Sequence, residues 1–394
     1  MQATPHSLDE RRARLRMASM VACFAAFLFS YAFAVLDTNN VLRSVLVADV
    51  NAYEQIGAEV LDGAVPYTQL AIEHLPVSFL PIAALSWVAD VLGVGLVLVW
   101  VLAMAAAFIG SVVVIDSIDP NEATGRRFLF VSLPLLPLVL FRLEPWVVLL
   151  AVVSIAAYAA NEQTKGAVWT VVATLSKGWP IVLVAYPWQR GRRWLAVGVT
   201  TASGVLLAIV AASDGFQRAR AFDGIHSETI VGNLVLVWRH FMSIPLGLGD
   251  AAGAVYVAVP DIAVFVNAIP GIVLFGIAVY AVARHESSFR DLTLIVGLAV
   301  LGIMLMSPLF STQFIFWLAP FAAFASTEIR RVYVVAATIG LASVTVFEPA
   351  ALWWSIEVLS KNIAIVWLAV VWARMVLAFR GSQPVSTSRK NLPV

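Results

Sequence analysis

The chain is poor in everything that builds a water-soluble protein. Only 12% of its 394 residues are charged, against about 25% in ordinary soluble domains. Cysteine occurs once, at Cys23. That excludes an intrachain disulfide and any cluster of cysteine metal ligands. The His, Asp and Glu residues match no metal-ligand spacing, and no motif indicates a cofactor, so none is expected. The net charge is +1, which offers no field to nucleic acid. No internal repeat is visible. No polar stretch is long enough for a nucleotide-binding domain.

What is present is apolar sequence. Hydrophobic residues make up 61% of the chain, and the mean hydropathy is +0.90. One aqueous core cannot hide that much apolar surface, but a bilayer solvates it. The expected fold is therefore all-α: a polytopic transmembrane protein of about 12 membrane helices. The first run, Met17 to Leu36, follows Arg11, Arg12, Arg14 and Arg16. It is long enough to span and reads as a retained helix rather than a cleaved signal. Further spans read at 76–93, 95–115, 128–141, 145–160, 167–185, 194–212, 261–283, 290–307, 313–326, 331–347 and 361–379. Several are short for a full crossing and read as broken helices lining a cavity. Lys177-Gly178-Trp179-Pro180 interrupts one of them.

Residues 1–380 form one expected domain, with a disordered cytoplasmic tail at 381–394. Clusters at Arg190–Arg193, Arg284 with Arg290, and Arg330 with Arg331 place both termini in the cytoplasm. The long segments 37–75 and 213–260 then share the external face. Each contains an amphipathic stretch, at 49–62 and 227–243. Arg far outnumbers Lys, which associates with a GC-rich bacterium, and the expected site is its plasma membrane.

Three groups of residues carry candidate chemistry. The first runs from Asp49 and Tyr53 through Gly63, Pro66 and Tyr67 to Glu73, His74 and Pro76. A carboxylate at the membrane boundary beside aromatic rings suits a general base; an ordinary solvated loop is the competing reading. The second is Arg142, Glu144 and Lys177, charges in or near apolar spans that need a partner or a cavity. They suit a phosphate arriving from lipid, or a structural ion pair with Glu144. The third runs from Ser307-Pro308 to Gln313, Phe314, Trp317 and Pro320. Gln313 suits hydrogen bonding to a sugar or phosphate; an aromatic belt with a capped helix start is the plainer reading. His226, beside Ser227 and Glu228, is a possible acid or base, or simply an exposed loop histidine.

Taken in order, these elements resemble the GT-C superfamily of polyprenyl-phosphate-sugar-dependent glycosyltransferases, and within it the GT87 family of mannosyl- and arabinofuranosyltransferase-like proteins. The resemblance covers nearly the whole chain. Its departures are Glu144 and Leu143 in place of an acidic Asp and an aromatic residue, and His74 where Tyr is common. Only His226-Ser227-Glu228 remains of a longer mid-chain pattern. The resemblance implies transfer of a sugar, mannose or arabinofuranose, from a polyprenyl-phosphate donor to a cell-envelope glycolipid or glycan at the outer face. It puts the catalytic carboxylate on Asp49. It puts the donor phosphate and sugar on Lys177, Arg142, Glu144, His226 and Gln313, and the acceptor near Tyr53, Tyr67, Glu73, His74 and Trp317. No metal is implied, although a divalent cation requirement is left open. A transporter or flippase of lipid-linked glycans, or an inactive relative, are the alternatives.

Overall fold

The computed structural model describes residues 5–36, 41–119, 123–220, 224–245, 248–251, 254–284, 287–345, 348 and 350–379. The expected tail at 381–394 lies outside them, as does the start of the first long loop at 37–40. The first half of the chain forms α1 (Pro5–Leu36), α2 (Val41–Leu61), α3 (Pro76–Leu92), α4 (Leu96–Ile118), α5 (Thr124–Ser132), α6 (Leu136–Val139), α7 (Glu144–Ala159), α8 (Gln163–Lys177), α9 (Ala185–Gln189) and α10 (Arg193–Ala211). The second half adds α11 (Asp214–Ala219), α12 (Ile230–Phe241), α13 (Asp261–Arg284), α14 (Phe289–Met306), α15 (Ala319–Phe324), α16 (Thr327–Thr345) and α17 (Leu352–Ala378).

Among the described residues, six helices are long and apolar enough to cross a membrane: α1 over Glu10–Ala32, α4, α10, α13, α14 and α17. The chain is a predominantly helical membrane protein. Large apolar side chains such as Phe24, Leu102, Ile209, Phe265 and Ile363 stand fully outward on these helices. In water that surface would be costly, and in hydrocarbon it is not. α14 is the exception, because most of its side chains are buried. It runs through the centre, against α13, α15 and α17.

The breaks expected in the short spans are present, and local chemistry explains them. Gly178 ends α8 with φ 76°, a left-handed conformation that a Cβ disfavours. Pro180 then lacks an amide hydrogen, and residues Trp179–Val184 tighten into a 3-10 turn before α9. The expected span 128–141 is likewise split into α5 and α6, and 313–326 into a 3-10 segment, Thr312–Leu318, followed by α15.

One departure from the all-α expectation lies in the second long loop. Ile225–His226, Leu248–Ala251 and Ala254–Val257 form an antiparallel sheet in the order β1-β3-β2. Strands of two to four residues carry too little periodicity to stand out in sequence. Both amphipathic stretches are helical, as expected. In α12, Leu234, Trp238 and Phe241 face outward, while Gly232, Asn233 and Leu236 face the protein. Thr229 caps this helix, its Oγ1 accepting from the Gly232 amide at 3.0 Å.

The two long loops meet. Gly215 donates its amide to the Tyr67 carbonyl at 2.8 Å, and Arg218 donates to the Thr68 carbonyl at 2.9 Å. The arginine-rich ends lie away from them. Arg11 pairs with Asp116, at the far end of α4, at 2.8 Å. Gln189, beside Arg190, donates to the carbonyl of Val282 near the end of α13 at 2.5 Å.

Candidate functional site

Where the loops meet the helix ends, they enclose a cavity of about 430 Å³. Its wall gathers nine residues singled out from the sequence: Asp49, Tyr53, Glu73, His74, Arg142, Lys177, His226, Gln313 and Trp317. They come from six separate places along the chain. Two expected residues are not on the wall. Glu144 is buried behind it, and Tyr67 braces it, donating its hydroxyl to the His74 carbonyl at 2.6 Å. Tyr67 does so from a left-handed conformation, φ 65°, which a bulky residue adopts only when its surroundings require it.

The carboxylate at the rim is held, not loose. α2 presents Asp49 and Tyr53 one turn apart. Arg142 Nη1 lies 3.0 Å from Asp49 Oδ1. The Tyr53 hydroxyl donates to Asp49 Oδ2 at 3.4 Å. The Arg142 Nε donates to Gln313 Oε1 at 3.1 Å. Arg142, Asp49 and Gln313 thus form one connected group from three parts of the chain. The reading of 49–76 as an ordinary solvated loop does not hold, because α2 is packed against α3 and α4. Tyr53 is buried against the Trp100 ring at 4.5 Å.

The break after α8 puts Lys177 at the wall. It pairs with Glu144 at 3.3 Å and lies over the Phe314 ring at 5.1 Å. The ion pair foreseen with Glu144 is therefore real for Lys177, whereas Arg142 turns to Asp49 instead. Trp317 is not a belt residue at the lipid boundary. It is buried between Phe314, at 4.2 Å, and Trp179, at 5.9 Å, both stacked on it. The 3-10 segment after Ser311 points these rings inward.

His226 is also not an exposed loop histidine. β1 buries it, with its Nδ1 2.6 Å from the Phe310 carbonyl. A carbonyl only accepts, so Nδ1 carries the proton and Nε2 is left for a molecule in the cavity. Burial pushes this imidazole below its ordinary range and Lys361 adds to the effect, against Glu228 and the Phe310 carbonyl. His74, across the cavity wall, is pushed down to about 4 by burial, then by Lys177 and Arg220, against Asp49. Both imidazoles are neutral at pH 7.

Two further participants, Lys361 and Arg220, escaped the sequence reading, and a third, Glu228, was noticed there only as a neighbour of His226. Glu228 lines the cavity. Its Oε2 accepts from the Thr312 amide at 3.0 Å, the Thr312 hydroxyl at 2.6 Å and Lys361 Nζ at 2.5 Å. Burial works to raise this carboxyl, but Lys361, His226 and Thr312 outweigh it and hold it down at about 2. Lys361 itself is wholly enclosed. Arg220 stands on the wall over the Phe216 ring at 5.3 Å. It has no carboxylate within pairing distance among the described residues. Also among those residues, no three His, Cys, Asp or Glu side chains gather to hold a metal ion.

The wall therefore offers a positioned carboxylate, a neutral imidazole, several cations and a stack of aromatic faces. That combination suits an anionic amphiphile with a hydroxyl-rich head. Comparisons with protein-family models, curated proteins and solved structures find no match to this chain.

Proposed function

We propose that this chain is a membrane glycosyltransferase. It moves a sugar, mannose or arabinofuranose, from a polyprenyl-phosphate donor to a glycolipid or glycan of the cell envelope. In this reading it has the GT-C-like architecture, its shorter helices completing about a dozen crossings. It sits in a bacterial plasma membrane with both termini cytoplasmic and the cavity at the outer face.

The observation that carries the proposal is the convergence of Asp49, Arg142, Lys177, His226, Gln313 and Trp317 on one cavity at the loop-bearing end of the helices. A nucleotide sugar would need a larger polar domain, whereas a lipid donor can enter from the bilayer between helices.

The chemistry follows from the wall. The acceptor hydroxyl gives its proton to Asp49 as its oxygen attacks the anomeric carbon. The bond from that carbon to the phosphate oxygen breaks, and polyprenyl phosphate leaves with the electron pair. Charge grows on the leaving phosphate, so fixed cations there stabilise the transition state more than the ground state. Lys177 and Arg220 supply that charge, while the neutral His226, its proton held on Nδ1 by the Phe310 carbonyl, offers Nε2 as an acceptor to a hydroxyl. Arg142 and Gln313 hold Asp49 in place. The half-buried Phe314 ring, backed by Trp317 stacked on it at 4.2 Å, gives the sugar an apolar surface to lie against.

The test uses purified protein in nanodiscs with radiolabelled mannosyl and arabinofuranosyl polyprenyl phosphates and a membrane-glycolipid extract. Transfer by the wild type and none by Asp49→Asn is the expected result. Donor binding without transfer by the wild type would favour a transporter of lipid-linked glycans.

A further inference from the structure

Glu228 and Lys361 form the most deeply enclosed ion pair among the described residues, at 2.5 Å. Lys361 lies within α17, one of the helices apolar enough to span a membrane. A buried pair of this kind is an expensive way to join a loop to a helix, because both charges are desolvated and apolar contacts do the same work. The joint is also made without it. Asn233 donates to the Ser355 carbonyl at 2.9 Å, and Asn362 donates to the Thr229 carbonyl at 3.3 Å. Both tie α12 to α17.

The geometry of the carboxylate indicates what the pair is for. All three donors converge on Oε2. No donor among the described residues reaches Oε1, and Glu228 is on the cavity wall. One oxygen is fixed and the other is offered to whatever occupies the cavity.

We propose that Glu228 is the sugar-recognising residue of the cavity, anchored through Oε2 by Lys361 and Thr312 and accepting sugar hydroxyls at Oε1. This rests on the glycosyltransferase reading and adds to it a direction for the donor. An ionised carboxylate only accepts hydrogen bonds, so it takes hydroxyl donors and repels phosphate. The phosphate therefore goes to the part of the wall where Arg220 lacks a carboxylate partner, and the hydroxyl-bearing head goes to Glu228. Lys361 is a positioning residue, since it acts only through the carboxylate it holds.

The experiment measures lipid binding to the full chain in nanodiscs, with two probes of equal chain length. One is a short polyprenyl phosphate carrying mannose or arabinofuranose, and the other is the same polyprenyl phosphate without sugar. The wild type is expected to bind the glycosylated lipid about tenfold more tightly, the scale of hydrogen bonds to a charged group. The double variant Glu228→Leu/Lys361→Met removes both charges and the acceptor oxygens together and strands neither charge. It is expected to bind the two lipids alike, with bare-phosphate binding unchanged. Thr312→Val strands no charge and gives the same readout, reduced discrimination, should the double variant fail to fold. Arg220→Gln is expected to weaken both lipids equally. Discrimination retained by the double variant, or by Thr312→Val where that is the readout, would overturn the assignment. So would wild type that binds both lipids without preference, leaving the glycosyltransferase reading intact. Wild type that binds neither lipid would overturn that reading and this assignment together.

Discussion

Arg142 and Asp49 are joined at 3.0 Å on the wall of the cavity, and Gln313 accepts from the Nε of the same guanidinium at 3.1 Å. The arginine therefore serves the carboxylate before it serves any ligand. This arrangement separates two effects that substitution at the site would otherwise confuse. Asp49→Asn keeps the shape and removes the proton acceptor. Transfer is expected to fall about 100- to 10,000-fold, the usual share of a general base. Donor affinity should stay within a factor of a few. Single-turnover transfer and equilibrium donor binding, measured side by side, check this; full turnover by the variant would move the base elsewhere on the wall.

Lys177 stands between two partners, Glu144 on one side and the Phe314 and Trp317 rings on the other. Lys177→Ala is expected to weaken donor binding tenfold or more, about the value of one charge-assisted contact. It also leaves Glu144 buried without its cation, so Lys177→Ala/Glu144→Gln is the cleaner variant. Donor affinity unchanged in that double variant would reduce Lys177 to a structural partner of Glu144.

Much of this site was legible because charge in an apolar chain is conspicuous. Asp49, Arg142, Lys177 and Gln313 stand out against their neighbours: Asp49 in a long polar loop, Arg142 between two short apolar runs, Lys177 inside an interrupted one, and Gln313 at a polar break before an aromatic run. Their pairings were not legible. Arg142 is two residues from Glu144, yet it reaches Asp49, because the turn before α7 points the two side chains apart. Lys361 was invisible as a site residue. It opens an apolar run like any terminal lysine, and its partner Glu228 lies 133 positions away. The burial of His226 was hidden for a similar reason. It depends on β1 pairing with β3, where His226 stands opposite Tyr256, and a two-residue strand leaves no periodic trace.

The two depressed histidines give the protein a pH dependence with a definite sign. The His74 imidazole is held at about 4, against 6.5 for the ordinary side chain. Between those values the unfolded chain binds a proton that the folded chain refuses. Stability is therefore full above pH 6.5 and falls as the pH drops toward 4. Glu228 contributes nothing to that slope near pH 6, since its carboxyl, held at about 2, loses its stabilising effect only below the ordinary value of 4.5. Thermal unfolding in nanodiscs at pH 7.5 and pH 5 should show lower stability at pH 5. His74→Gln should flatten part of the difference, leaving the part due to His226. A slope unaltered by His74→Gln would mean that His74 is hydrated rather than enclosed.

The proposed sidedness can be tested without any substrate. Cys23 is the only cysteine, and it is buried in α1, so new cysteines report against a quiet background. Glu59 is exposed on α2, at the cavity end, and Arg192 is exposed before α10, at the arginine-rich end. Basic clusters stay on the cytoplasmic side of a membrane. The proposed orientation then requires that Glu59→Cys react with an impermeant maleimide on intact cells, and that Arg192→Cys react only after lysis. A lipid-linked sugar used outside the cell needs the cavity on the outer face. The reverse labelling pattern would put Asp49 in the cytoplasm, where a soluble nucleotide sugar is the commoner donor, and would remove the reason for a lipid-phosphate site at Lys177 and Arg220.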